Sequence, residues 1–242
     1  MTDKPVWPRV RFAAAEFIVI VAGVLVALAV DEWRQSRQDR DLELQYASRL
    51  RLDLQRDTSR FGDFERNALA AKADVLMGLR QRASHPATGS AATRVPSPTM
   101  QELFFSQFIA LPEAQSAVFR EMESTGTVRL LRDPGLRTEL SNHYALHELL
   151  AGILEQPIGP YREIFAAALP GEMQYRWTAE SLEPDSAALA QAIGALVAHP
   201  EFLDAVNAEL GYTGAMVYWL RQSRDRAEAI LARLDQVYPS PQ

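Results

Sequence analysis

The chain has 242 residues, 48% of them hydrophobic and 23% charged, with a net charge of −6 and no cysteine. This composition excludes an intrinsically disordered chain, a disulfide-stapled domain, thiolate metal sites and thiol catalysis. The acidic balance argues against nucleic acid as a partner, since phosphates call for a basic stripe.

The first element is Ala13 to Val30, AAAEFIVIVAGVLVALAV, eighteen residues in which Glu16 is the single charge. As a helix it measures roughly 27 Å, close to the hydrocarbon thickness of a bilayer. Trp7, Arg9, Arg11 and Phe12 before it, and Asp31, Glu32, Trp33 and Arg34 after it, suit the two interfaces. The pattern favours a retained transmembrane anchor with the lipid bilayer as partner. Two alternatives stay open: Ala27-Leu28-Ala29 has the small-x-small form of a signal cleavage site, and a buried core helix would also be apolar. Glu16, near the helix start, reaches the interface and favours the positive end of the helix dipole. Gly23 and Ala27 form a small-x-x-x-small pair, the candidate packing residues for a homodimer through the anchor. Lys4, Arg9 and Arg11 give residues 1–12 the character of a cytoplasmic tail, which sends the remaining domain outward.

Past the anchor the chain turns polar, and apolar residues recur at Leu42, Tyr46, Leu50, Leu54, Phe61, Phe64, Ala68, Ala71, Val75 and Leu79. Steps of mostly three and four predict one long amphipathic helix over 31–82, with Gly62 as its weak point. Proline is absent between Pro8 and Pro86. Residues 83–98, with Pro86, Gly89, Pro96 and Pro98, are expected to be a flexible linker. Thr99 and Glu102 then have the spacing of a capping box, opening a phenylalanine-rich helix from Gln101 to Ala110. Pro112 suits the first turn of a helix running to about Met122 and stopping at Ser124-Thr125-Gly126. Asp133-Pro134 reads as N-cap and first helical residue of a helix reaching about Leu154. Gly159-Pro160 opens another, which Pro170-Gly171 ends, and an irregular stretch with Tyr175 and Trp177 follows. The last two helices are expected from about Asp185 to Ala198 and from Pro200 to about Val237, with 238–242 a disordered tail.

The final helix is long enough, about 55 Å, to lie antiparallel against the membrane-proximal one. The fold class is therefore all-α: an N-terminal transmembrane helix continuing into a long helix, which packs with a bundle formed by 99–237.

Glu16 to Arg34 passes into a helix containing Tyr46 and Leu50-Arg51-Leu52-Asp53-Leu54, and Met122 to Tyr144 reads MESTGTVRLLRDPGLRTELSNHY. Together these resemble an uncharacterised family of bacterial single-pass membrane-anchored helical proteins, a domain of unknown function. The resemblance implies a bacterial membrane, taken as the inner (cytoplasmic) one; it is the cationic tail that directs the helical domain to the periplasmic or otherwise extracytoplasmic side. It implies no activity and no catalytic residue.

Chemical motifs are scarce. His143 and His147 stand at i and i+4, the one arrangement suited to sharing a metal, but the metallohydrolase signature needs Glu where Tyr144 stands. They are expected to be helix-surface or half-buried residues, and no metal, cofactor or catalytic set is assigned. Glu121 and Glu123, like Asp39 and Asp41, lie at spacing two, on different helix faces. Phe104, Phe105, Phe108 and Phe119 are expected in the core rather than around a ligand. Three functions are carried forward. The first is an anchored interaction or scaffold module presenting a helical bundle to a protein of the membrane or envelope, with no catalytic chemistry. The second is a ligand-sensing bundle acting through a membrane partner. The third is a tethered metal-binding protein or hydrolase using His143 and His147.

Overall fold

The computed structural model describes residues 7–84, 97–107, 111–154, 159–168 and 186–239, without the side chains of 7–16, 18, 100, 154, 186 and 188. The expected linker, the Tyr175–Trp177 stretch, the Pro170-Gly171 stop and Phe108 fall largely or wholly outside these residues. No strand occurs among the described residues, and helices pack on helices.

Helix α1 (Trp7–Phe64) passes through a π-helical turn at Glu65–Leu69 straight into α2 (Ala70–Ser84). The long helix expected over 31–82 is thus continuous, and Gly62 lies inside α1 without breaking it. The turn does alter the stripe. Buried positions step by three and four through Tyr46, Leu50, Leu54, Asp57 and Phe61, then by eight to Leu69, and resume at Lys72, Leu76 and Leu79. The residues expected to continue the stripe, Ala68, Ala71 and Val75, are displaced from it and lie half-buried or exposed. A π turn absorbs one extra residue, so the inward face changes phase at that point.

Helix α8 (Phe202–Val237) lies antiparallel along α1 and α2. Cross-helix pairs fix its register. Tyr238 Oη donates to Glu43 (2.5 Å), Arg51 pairs with Asp235 (2.8 Å), Arg221 and Arg224 with Glu65 (2.6 and 3.3 Å), and Lys72 with Glu209 (2.5 Å). Three apolar layers fill the hairpin in succession. The first holds Leu50, Leu54, Phe119, Leu136, Leu140 and Leu234; the second Phe61, Leu69, Met216 and Leu220; the third Leu76, Leu79, Leu103, Phe165, Leu196 and Phe202.

Shorter helices close the layers. Helix α3 (Met100–Ser106) starts on the expected capping box, with Thr99 Oγ1 accepting the Glu102 N–H at 3.2 Å. It is two turns long, so Leu103 and Ser106 face inward while Phe104 and Phe105 are exposed, against the expectation that they are core. Helix α4 (Ala117–Ser124) begins five residues after Pro112, which sits in coil, buried under His147 instead of opening the helix. Gly126, at φ 68°, takes the left-handed turn that ends this segment as the sequence suggests. A 3-10 turn at Thr127–Leu130 leads to α5 (Pro134–Leu154), where Asp133 Oδ1 accepts the Gly135 N–H at 2.8 Å. Helices α6 (Tyr161–Ala168) and α7 (Ser186–Ala198) cover the third layer.

At the other end, α1 leaves the bundle. Phe17 and Val19–Val30 are exposed throughout, and nothing lies within 4 Å of a Cβ built on Gly23. Among the described residues no helix is long and apolar enough to cross a membrane. Residues 13–16 and Ile18 of the Ala13–Val30 stretch belong to the side chains outside that description.

Candidate functional site: a groove over a buried polar cluster

Helices α4 and α5 lie on α1 where it meets α8, and between them runs a groove of about 420 Å³. What sets α4 in place is a pair of carboxylates at i and i+4 on α1. Asp57 accepts the Gln115 N–H on both oxygens (2.9 and 3.1 Å), and Asp53, one turn earlier, lies toward the Val118 N–H, which acts to lower its carboxyl. Ser116, at the N-cap position, makes no capping bond of its own, and the carboxylates of α1 face the start of α4 instead, where its dipole favours negative charge. Sequence reading missed these aspartates. Asp57 falls on the inward stripe between Leu54 and Phe61, and that placement is the signal it left.

Burial governs their chemistry. Desolvation pushes the Asp57 carboxyl up to about 6; the Gln115 N–H and Arg60 oppose this and the Asp53 charge adds to it. Asp53 is raised by desolvation too, against Arg56, the Val118 N–H and Arg49. Tyr144, on α5, faces the same pair; burial, then the charges of Asp57 and Asp53, raise its phenol.

His143 and His147 are both buried, not the surface or half-buried residues expected. Their partners differ despite the i, i+4 spacing. His147 stacks on Phe61 at 5.1 Å, and its Nε2 lies 2.9 Å from the Pro112 carbonyl oxygen. A carbonyl only accepts, so Nε2 carries the proton and Nδ1 is a bare acceptor. His143 packs edge-on to Tyr144; burial, then His147 and Arg226, lower it to about 4. Burial lowers His147 too, partly offset by its bond to Pro112. Near neutral pH both rings are therefore uncharged. Among the described residues no three His, Asp or Glu side chains gather as a metal-holding group. The polar atoms Asp53 Oδ2, His143 Nε2, Tyr144 Oη and His147 Nδ1 lie buried beneath the groove wall without a protein partner.

The groove itself has an aromatic floor, Phe119 stacked on Tyr144 at 5.1 Å, and walls of small residues. Its rim carries Glu113, Glu123 and Glu148 against a single Arg120, which pairs with Glu148 at 3.7 Å. Glu121, on the next face of α4, instead binds Arg49 (2.6 Å) and the Tyr46 hydroxyl (3.0 Å). Gly23 and Ala27, far up α1, take no part in this region. No protein-family model matches the chain, and neither a curated protein nor a solved structure matches it.

Proposed function

We propose that the chain is a membrane-anchored helical interaction module whose work is binding rather than chemistry. The observation that carries this reading is the run Phe17 and Val19–Val30, apolar on every face and exposed along its length, with no cover among the described residues. A helix that is apolar all round needs an apolar surrounding, and a bilayer supplies one. The charged flanks at Trp7–Phe12 and Asp31–Arg34 belong at its two interfaces. Arg37 lies over the Trp33 ring at 5.0 Å, a pairing suited to headgroup level. Beyond it, the register-locked hairpin of α1–α2 with α8 forms a stiff spine on which the shorter helices of the bundle pack. The bundle lies on the extracytoplasmic side of a bacterial inner membrane, facing a protein of the envelope, with Gly23 and Ala27 available for pairing two anchors.

Fractionation with a topology fusion tests this. Alkaline phosphatase or a fluorescent protein is joined after Gln242, and membrane and soluble fractions are assayed. Phosphatase activity that only detergent releases, on a full-length chain, supports the reading. A soluble full-length chain refutes the anchor. A soluble shortened product shows cleavage at Ala27-Leu28-Ala29, and fluorescence without phosphatase places the bundle in the cytoplasm.

A further inference from the structure

The outward face of α5 is unusual for an exposed helix. Ser141, Ala145, Glu148 and Gly152 follow one another at steps of four, three and four, and all are exposed. That is the spacing of a coiled-coil seam, here turned away from the core. Leu149 and Ile153 flank it at 59% and 52% exposure, where a helix surface ordinarily carries charge. Small side chains let a second helix approach closely, and interaxial distances of about 8–10 Å need such gaps. The seam forms one wall of the groove, α4 the other, and Phe119 with Tyr144 the floor.

Charge then selects the occupant. Arg120 is taken by Glu148, and no cation lies in ion-pair reach of Glu113 or Glu123 among the described residues. A two-fold pairing of this face with a second copy would set the same acidic rim against itself, which is repulsive. We propose that the α4–α5 groove is a docking site for an amphipathic helix of a different protein, apolar along one face and flanked by Lys or Arg. Apolar side chains of that helix lie on Ala145, Leu149 and Gly152, and its cations meet Glu113 and Glu123. The proposal rests on the chain being an interaction module, and it names the surface and the chemistry of the partner.

Site-specific photocrosslinking decides it. A benzophenone amino acid replaces Ala145, exposed in the groove, in the full chain expressed in its native cells. The expected product joins this chain to another protein, at a peptide that is helical and carries Lys or Arg. Glu113→Lys with Glu123→Lys is expected to reduce its yield roughly tenfold or more. Both glutamates are exposed, so the thermal midpoint should not move, which separates lost docking from lost folding. A peptide copied from the crosslinked segment should bind the purified full chain in detergent, more weakly as salt rises. A crosslink to residues 155–185 of the same chain, a crosslink to a second copy, a product indifferent to charge reversal, or no product would each overturn the proposal. The readout needs no membrane. A chain that fractionation finds soluble fails the anchor without failing the groove, and the reverse holds too.

Discussion

The buried groups beneath the groove make opposite demands on pH, and a single substitution should expose the balance. Asp57 is wholly buried, and its carboxyl titrates at about 6 against an ordinary 3.8. A pKa raised by folding means tighter proton binding in the folded state. The stability it contributes is full below 3.8 and is lost as pH rises through about 6, a change of about 3 kcal/mol. His143, 2% exposed, runs the other way, from an ordinary 6.5 down to about 4. Its contribution is full above 6.5 and is lost as pH falls through about 4, again about 3 kcal/mol. Asp53 is shifted in the sense of Asp57, and His147 in the sense of His143. The two losses offset each other across the window from about 4 to 6.5, so this pair together adds little slope to the native chain there.

Asp57→Asn removes one side. Its amide oxygen still accepts the Gln115 N–H, while the cost of an ionised buried carboxylate disappears. The variant should gain up to about 3 kcal/mol near neutral pH and lose about as much between pH 6.5 and 4 as His143 takes up a proton. His143→Gln should slope in the opposite direction. The assay is urea unfolding of the full chain in detergent, followed by far-UV circular dichroism across this pH range. An Asp57→Asn variant with the native pH profile, or one less stable near neutrality, would refute the reasoning.

Three further outcomes are expected. Lys72→Ala leaves the Glu209 carboxylate buried without its cation and should cost about 3–5 kcal/mol, whereas Lys72→Met with Glu209→Leu should recover most of that; denaturant midpoints of the three chains check it. A Cβ on Gly135 would stand 2.2 Å from the Arg233 guanidinium, so Gly135→Ala must displace Arg233 from Asp133. Gly135→Ala and Arg233→Ala should lower the melting temperature by similar amounts, and the double variant no further than either; additive losses would count against this. Tyr161→Phe removes the partner of Ser106 Oγ at 2.8 Å but leaves that hydroxyl its bond to the Leu103 carbonyl, so a loss near 1 kcal/mol is expected by thermal melting.

Local chemistry made much of the fold legible. The Thr99–Glu102 box, the Asp133-Pro134 start and the Ser124–Gly126 stop each satisfy backbone groups within a few residues, and each stands where sequence places it. The pairing of the first long helix with the last was legible because both stripes are long and each needs a partner. What escaped was decided at a distance. The start of α4 is set by Asp53 and Asp57, some sixty residues upstream, so the local cue of Pro112 misled. Phe104 and Phe105 looked like core, but a two-turn helix fixed by Leu103 and Ser106 has no room to turn them inward. His143 and His147 share a helix face yet answer to different neighbours, Tyr144 for one and Phe61 with Pro112 for the other.

The π turn at Glu65–Leu69 also fixes where this protein tolerates a change in length. Elsewhere in the long helix, deleting one residue rotates everything downstream by about 100° and turns the inward stripe toward solvent. Within 65–69 a deletion would instead convert the wide turn to ordinary α-helix, keeping Phe61 and Leu69 on the same side while the pairs on either flank hold their register. The helix thus carries one removable residue, and homologues that differ in length by one position along this arm should differ there.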